Sequence, residues 1–119
     1  MTFKDDFQFD LRKQESNRIM NKYPNRVPII CEKLYSSDPD IIKTKYLIPT
    51  DVNIAHFIFS LRQKNIFRKE EAIFIIINGF IPTSSLYLHQ LYNLFKDDDG
   101  FLYMNYSIEN VFGSFSSVK

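Results

Sequence analysis

Few residues in this chain of 119 could do chemistry. Cys31 is the single cysteine, and His56 and His89 are the two imidazoles. A nucleophilic thiol needs a base within hydrogen-bond reach and a third group to orient that base. Cys31 instead lies in an apolar run, both histidines fall on predicted helices, and no acid pairs with them. It therefore reads as a buried structural thiol. The histidines have no ligand spacing between them, so no zinc site is expected. Asp97-Asp98-Asp99-Gly100 resembles the opening of a calcium loop. Continued, that loop would place Phe101 at the fifth position and Ile108 at the twelfth, where oxygen ligands are required, so a solvated turn is expected. Asn105-Tyr106-Ser107 matches a glycan acceptor but falls in a predicted buried strand. Gly79, Gly100 and Gly113 are too scattered for a phosphate loop. There remains Phe112-Gly113. As an ordinary terminus it would fray. As a reagent, a glycine without a side chain can thread a narrow enzyme cleft, and its carboxylate can be adenylated, passed to a thiol and coupled to an amine. The residues alone leave both readings open.

The elements that must position these residues follow from periodicity. Phe3, Phe7 and Phe9 among Lys4, Asp5, Asp6 and Asp10 predict one short helical turn whose rings dock elsewhere. Residues 11–22 predict a second helix with Leu11, Glu15, Arg18, Ile19 and Lys22 on one face. Its apolar stripe is thin, which puts it on the outside of the domain. Tyr23-Pro24-Asn25 ends it. Residues 27–34 predict a strand with Val27, Ile29 and Cys31 on one face and Pro28 and Ile30 on the other; residues 36–40 are a loop. A very short strand at 45–49 sets Tyr46 and Ile48 opposite Lys45 and Leu47, and Pro49 with the adjacent lysines marks a sheet edge. Because Tyr46 and Leu47 sit on an edge strand, truncating both to alanine is expected to leave the domain folded. Asp51 or Asn53 caps a helix to about residue 64, with Ile54, Phe57, Ile58 and Leu61 at helical spacing. Residues 72–77 predict an interior strand and Asn78-Gly79 a tight hairpin turn. Thr83 or Ser84 caps a helix to about residue 95, with Leu88, Leu91, Leu94 and Phe95 inward. The last strand begins at Phe101, is apolar on both faces, and decays toward Gly113. Helix, helix, β, β, α, β, a small hairpin, α and a last β returning to the sheet centre make an α+β fold. It is the ubiquitin-like β-grasp with two additional N-terminal helices.

Length allows one domain. A lone cysteine and the lack of a cationic-apolar leader point to a cytosolic protein. The longest apolar run, residues 72–77, is far short of the roughly 20 that span a bilayer, so membrane association must be acquired. A net charge of +1 does not suit a nucleic-acid binder. The charge is unevenly spread: Arg12, Lys13, Arg18, Lys22 and Arg26 face only Glu15, whereas the aspartates cluster late. An incoming strand could pair with the exposed 45–49 edge, and Arg12, Arg26, Lys43 and Lys45 favour an acidic peptide there.

Residues 25–33 (Asn-Arg-Val-Pro-Ile-Ile-Cys-Glu-Lys), Lys45-Tyr46-Leu47-Ile48-Pro49, the Asp-Gly-Phe-Leu-Tyr stretch ending at Tyr103, and Glu109-Asn110-Val111-Phe112-Gly113 carry a family resemblance. The chain resembles the autophagy ubiquitin-like modifiers, the family of GABARAP and microtubule-associated protein light chain 3, from Phe3 to Gly113. The resemblance implies a helical extension at 1–24, a ubiquitin-like domain at 25–113 and a tail at 114–119 removed on processing. It implies a monomer that is not an enzyme and needs no cofactor. A cysteine protease would cut after Gly113, next to Phe112. Activating and conjugating enzymes would then join Gly113 to phosphatidylethanolamine, moving the chain from cytoplasm to autophagosome and vesicle membranes. The resemblance also implies a groove for receptors bearing an aromatic-x-x-aliphatic motif. Its aromatic pocket would be Glu15, Ile19, Pro28, Ile30, Lys45, Leu47 and Phe101. Its aliphatic pocket would be Tyr46, Ile48, Pro49, Val52, Phe57 and Leu61, with Arg26 and Lys64 toward the acidic flank. Lys64 stands where arginine is common and cannot grip a carboxylate bidentately. The alternative of another class is a non-conjugated peptide-binding adaptor in vesicle or receptor traffic.

Overall fold

The computed structural model describes residues 2–65 and 67–110. Its elements are α1 (Phe3–Asp6), α2 (Phe9–Lys22), β1 (Arg26–Lys33), β2 (Lys45–Pro49), α3 (Ile54–Lys64), β3 (Glu71–Ile76), α4 (Leu88–Phe95) and β4 (Leu102–Asn110). The sheet order is β2-β1-β4-β3, with β1 and β4 parallel and the outer pairings antiparallel. β1 and β4 are therefore central, and each carries apolar residues on both faces.

Alternation along the strands sends side chains to two unequal layers. Val27, Ile29, Cys31, Tyr46, Leu102, Met104 and Tyr106 join Ile54, Phe57, Leu61, Leu88 and Leu91 in the main core under α3 and α4. The opposite face carries a small cluster in which Ile19 of α2 meets Ile30 and Phe101, with Phe3, Leu47 and Tyr103 packed around it. Of the three rings expected to dock, Phe3 does so, edge-on against Phe101 with ring centroids 5.4 Å apart, whereas Phe7 and Phe9 are 45% and 44% exposed. Asn53, rather than Asp51, caps α3: its side chain accepts the His56 N–H at 2.9 Å. Asn78 and Gly79 both have positive φ, 52° and 84°, and the isolated bridge between Ile77 and Phe80 closes the two-residue turn they form.

Four expectations need correction. Residues 72–77 were expected to form an interior strand, but β3 pairs with β4 and is the edge of the sheet opposite β2. The inward face of α2 is Arg12, Ser16 and Ile19, and Leu11 is 53% exposed, so the helix is rotated from the face read in its thin stripe. α4 starts at Leu88, with Gln90 accepting the Tyr87 N–H at 2.9 Å, and not after Thr83 or Ser84. The carbonyls of Ser84 and Leu86 instead accept the Ala55 and Ile54 N–H groups at 3.0 Å each, supplying partners that the first turn of α3 lacks. Leu94 is 73% exposed, because Leu88, Leu91 and Phe95 define the inward stripe and Leu94 turns away from it.

Candidate functional site

Two prolines set the hydrogen-bond phase at the β2 edge. Pro28 lies opposite Leu47 and Pro49 opposite Arg26. Proline donates no N–H, so these cannot be the pairs that exchange both ladder bonds; Val27–Ile48 and Ile29–Tyr46 are. In the same phase, Cys31 N–H donates to the Thr44 carbonyl at 2.8 Å and Thr50 N–H to the Asn25 carbonyl at 3.2 Å. Lys45 and Leu47 therefore turn their backbone N–H and C=O groups away from β1, and no described strand lies there. The Arg26 guanidinium reaches round to donate to the Leu47 carbonyl at 3.1 Å. Of the edge, it covers one acceptor.

On the α2 side of this edge, Ile19, Ile30 and Phe101 are fully buried and make a floor, with Leu47 half-buried and Lys45 exposed above it. Pro28 is buried beside Leu47. Glu15 ties the helix to the strand. It takes a two-pronged grip from Arg18, at 3.0 and 2.9 Å, and accepts from Lys45 Nζ at 2.6 Å. These hydrogen bonds, Arg18 first and Lys45 second, hold its carboxyl at about 2, well below the ordinary value. A cavity of about 330 Å³ opens next to this triad, lined by Phe3, Phe7, Leu11, Arg12, Glu15 and Lys45.

On the α3 side the residues lie deeper. Tyr46 is 6% exposed, its ring meets Phe57 edge-on at 5.5 Å, and its hydroxyl donates to the Lys43 carbonyl at 2.8 Å. Burial pushes its phenol pKa up. Phe57 and Leu61 are buried beneath it, while Ile48 and Val52 are partly exposed and pack against that core. Pro49 is half-buried at the strand end, and Lys64 is exposed in the last turn of α3. Tyr46 is thus a core residue on an edge strand. Its truncation to alanine would cost about 3 kcal/mol or more, contrary to the expectation that it is freely removable.

Sequence reasoning missed how α2 is held over the sheet. The acidic run is not a solvated turn: Asp99 is fully buried, accepting from Arg12 Nε at 2.9 Å, from the Phe101 N–H at 2.9 Å and from the Tyr103 hydroxyl. Ser16 donates to the Asp99 carbonyl, Lys13 to the Asp98 carbonyl at 3.1 Å, and Lys4 pairs with Asp97 at 2.7 Å. Arg12 is consequently turned inward and away from any peptide at the edge. One local signal existed, Gly100 at the end of the run, with φ +93° and no room for a Cβ beside Ser16. Cys31 is fully buried, and burial drives its thiol pKa up, so it has no nucleophilic character. The Asn105 side-chain nitrogen donates to the Glu32 carbonyl at 3.3 Å, with Asn105 half-buried within β4. Among the described residues no metal-binding group of three or more His, Cys, Asp or Glu occurs, and no helix is long and apolar enough to cross a membrane. Phe112 and Gly113 lie outside the described residues.

A four-stranded mixed sheet with parallel central strands, two N-terminal helices on one face and an open edge at β2 defines a ubiquitin-like protein. Residues 11–113 match the sequence profile described as "Autophagy protein Atg8 ubiquitin like". The chain is 45% identical to the "Autophagy-related protein 8" of Vanderwaltozyma polyspora over 114 residues, covering 95% of this chain and 97% of the relative. It is 46% identical to the protein of the same name from Schizosaccharomyces pombe over 113 residues, 94% and 93% covered. Among solved structures, Trypanosoma brucei ATG8 superposes with a TM-score of 0.86 at 35% identity, covering 95% of this chain and 98% of that one. Plasmodium falciparum Atg8, solved in complex with an Atg3 peptide from the same organism, gives 0.80 at 35% identity, with 90% and 95% covered. The chain belongs to the Atg8 ubiquitin-like family of autophagy proteins, and it is a ubiquitin-like modifier of autophagy.

Proposed function

We propose that the chain is cut after Gly113, coupled there to phosphatidylethanolamine, and used at the autophagosome membrane to hold receptors along the free edge of β2. A cysteine protease would remove residues 114–119, and activating and conjugating enzymes would carry the Gly113 carboxylate to the lipid amine. The Plasmodium relative in complex with an Atg3 peptide supports such handling by a conjugation pathway. Two acyl chains, at roughly 0.8 kcal/mol per buried methylene, would anchor a chain otherwise free in the cytoplasm. The chain would be the substrate of these steps and catalyse none of them. It would act as a monomer in which residues 1–24 flank a domain at 25–113.

The observation that carries the receptor reading is the outward phase of Lys45 and Leu47. A peptide pairing with those backbone groups places an aromatic residue and an aliphatic residue three positions later on opposite faces, because side chains alternate with period two. The aromatic ring would enter on the α2 side against Pro28, Lys45 and Leu47, above Ile19, Ile30 and Phe101. The aliphatic residue would sit on the α3 side against Ile48, Pro49 and Val52, above Tyr46, Phe57 and Leu61. With the aromatic residue near Lys45 and the aliphatic one near Pro49, the peptide runs parallel to β2. Arg26 and Lys64 would draw its acidic flank.

Calorimetric titration with an acidic aromatic-x-x-aliphatic peptide tests this reading. Leu47→Ala is expected to weaken binding about tenfold or more without moving the melting temperature by more than a few degrees. Undiminished affinity would refute the groove.

A further inference from the structure

We propose that Asn65 is a positioning residue that sets the width of the channel between β2 and α3, and with it which side chain a bound peptide can present there. This rests on the reading of the β2 edge as a peptide site and names a determinant of its selectivity outside the residues that line it. Phe57, Leu61 and Asn65 follow one another at intervals of four along α3 and its C-terminal cap, so all three lie on one face of the helix. The first two are buried under the aliphatic side of the groove. The third is polar and reaches across to the segment that leads into β2, where its side-chain oxygen accepts the Ile42 N–H at 2.8 Å.

The Asn65 amide is held from the helix side as well. Its nitrogen donates to the Leu61 carbonyl at 3.0 Å, and that carbonyl also receives the Asn65 backbone N–H at 3.1 Å. Turned over, the amide would set donor against donor and acceptor against acceptor, so one orientation alone serves both ends. The segment before β2 is then pinned at three successive residues. Asn65 takes the Ile42 N–H, the Tyr46 hydroxyl donates to the Lys43 carbonyl at 2.8 Å, and the Cys31 N–H donates to the Thr44 carbonyl at 2.8 Å. The last two bind the segment to the sheet; of the three, Asn65 is the one that binds it to α3. β2 runs from Lys45 to Pro49 and α3 returns from Ile54 to Lys64, so residues 50–53 join strand and helix covalently at one end of the channel and the Ile42–Asn65 bond joins them at the other. A channel fastened at both ends cannot widen by parting strand from helix. It therefore takes a branched aliphatic side chain over Tyr46, Phe57 and Leu61 and resists a bulkier ring. Ile42 is itself 81% exposed, so the bond does not serve to bury an apolar side chain.

Three acidic peptides with one motif aromatic, and leucine, phenylalanine or alanine at the aliphatic position, test the proposal by calorimetry on the full chain. The wild-type chain is expected to prefer leucine to phenylalanine by about tenfold, the scale on which a close-fitting apolar pocket separates side chains of different size. Asn65→Ala should bring that ratio to about twofold or less, mainly by admitting phenylalanine. Asn65→Asp keeps an acceptor for the Ile42 N–H, while the Leu61 carbonyl keeps the backbone N–H, so it should preserve the ratio. Amide hydrogen exchange supplies a second readout: the Ile42 N–H should be protected in the wild type and in Asn65→Asp, and exchange freely in Asn65→Ala. A merely structural loss in Asn65→Ala would weaken the leucine and phenylalanine peptides alike and leave the ratio unmoved. That result, an unprotected Ile42 amide in the wild type, or a wild-type ratio near one would overturn the role of Asn65 and leave the groove standing. If the alanine peptide binds as tightly as the leucine peptide, or none of the three binds, the edge reading falls and the role of Asn65 with it.

Discussion

Glu15 joins α2 to the edge strand, and its charge works against an acidic ligand at that position. Its carboxylate is held near 2 by Arg18 and Lys45, against an ordinary 4.5. A pKa lower in the folded than in the unfolded chain makes a contribution to stability that is full above about pH 4.5 and is lost as pH falls through about 2. An NMR titration of Glu15 should find that low midpoint, and Lys45→Met should move it upward while leaving the Arg18 contribution. An unshifted midpoint in wild type would mean that the triad does not persist in solution. Glu15→Gln releases two cations beside the groove. It should tighten binding of an acidic aromatic-x-x-aliphatic peptide several-fold at low salt, and the gain should shrink as salt screens it. The placement of Lys45 and Leu47 on one face and Tyr46 and Ile48 on the other was readable from alternation alone. The depth of Tyr46 was not, because an edge strand is free on one side only and the sequence does not say which rings lie beneath it. The burial of Asp99 was equally hidden, since three consecutive aspartates look solvated until a distant arginine is known to meet one of them.

At the scale of elements, α2 stays over the sheet through the Arg12–Asp99 pair and the close approach of Ser16 to Gly100. A Cβ added at Gly100 would sit 2.3 Å from Ser16 Oγ and 2.9 Å from its Cβ, at a φ of +93° that alanine disfavours. Gly100→Ala should therefore cost about 1–3 kcal/mol and push α2 outward, lowering peptide affinity as well as the melting temperature. Removing Asp99 as Asp99→Ala strands a nearly buried guanidinium and should cost about 3–5 kcal/mol. Chemical denaturation of both variants measures these losses, and wild-type stability in either would show that the clamp is not what holds the helix. Elements with strong local periodicity, such as α3 and the two central strands, were legible before any coordinates. The start of α4 was not: Ser84 and Leu86 lend their carbonyls to α3, a tertiary demand that overrides the capping preference of Thr83 and Ser84. The face of α2 misled because its inward positions include a buried arginine and a serine, which no apolar stripe marks.

For the whole molecule, the order of elements and the apolar character of the final strand pointed to a β-grasp, and the parallel pairing of β1 with β4 closes it. The uneven charge of the chain has partly been spent within it, since Lys4, Lys13 and Arg12 turn onto the 97–99 run. Steering of an acidic partner then falls to the cations around β2, and association should slow with salt by less than the N-terminal charge count implies. The account as a whole depends on Gly113 becoming a lipid-bearing terminus. Intact mass of the protein recovered from its own cells under starvation tests that most directly. The prediction is a membrane-bound species that lacks residues 114–119 and is heavier by one phosphatidylethanolamine, absent in Gly113→Ala. A full-length chain that still carries Lys119 and never acquires a phospholipid would contradict it.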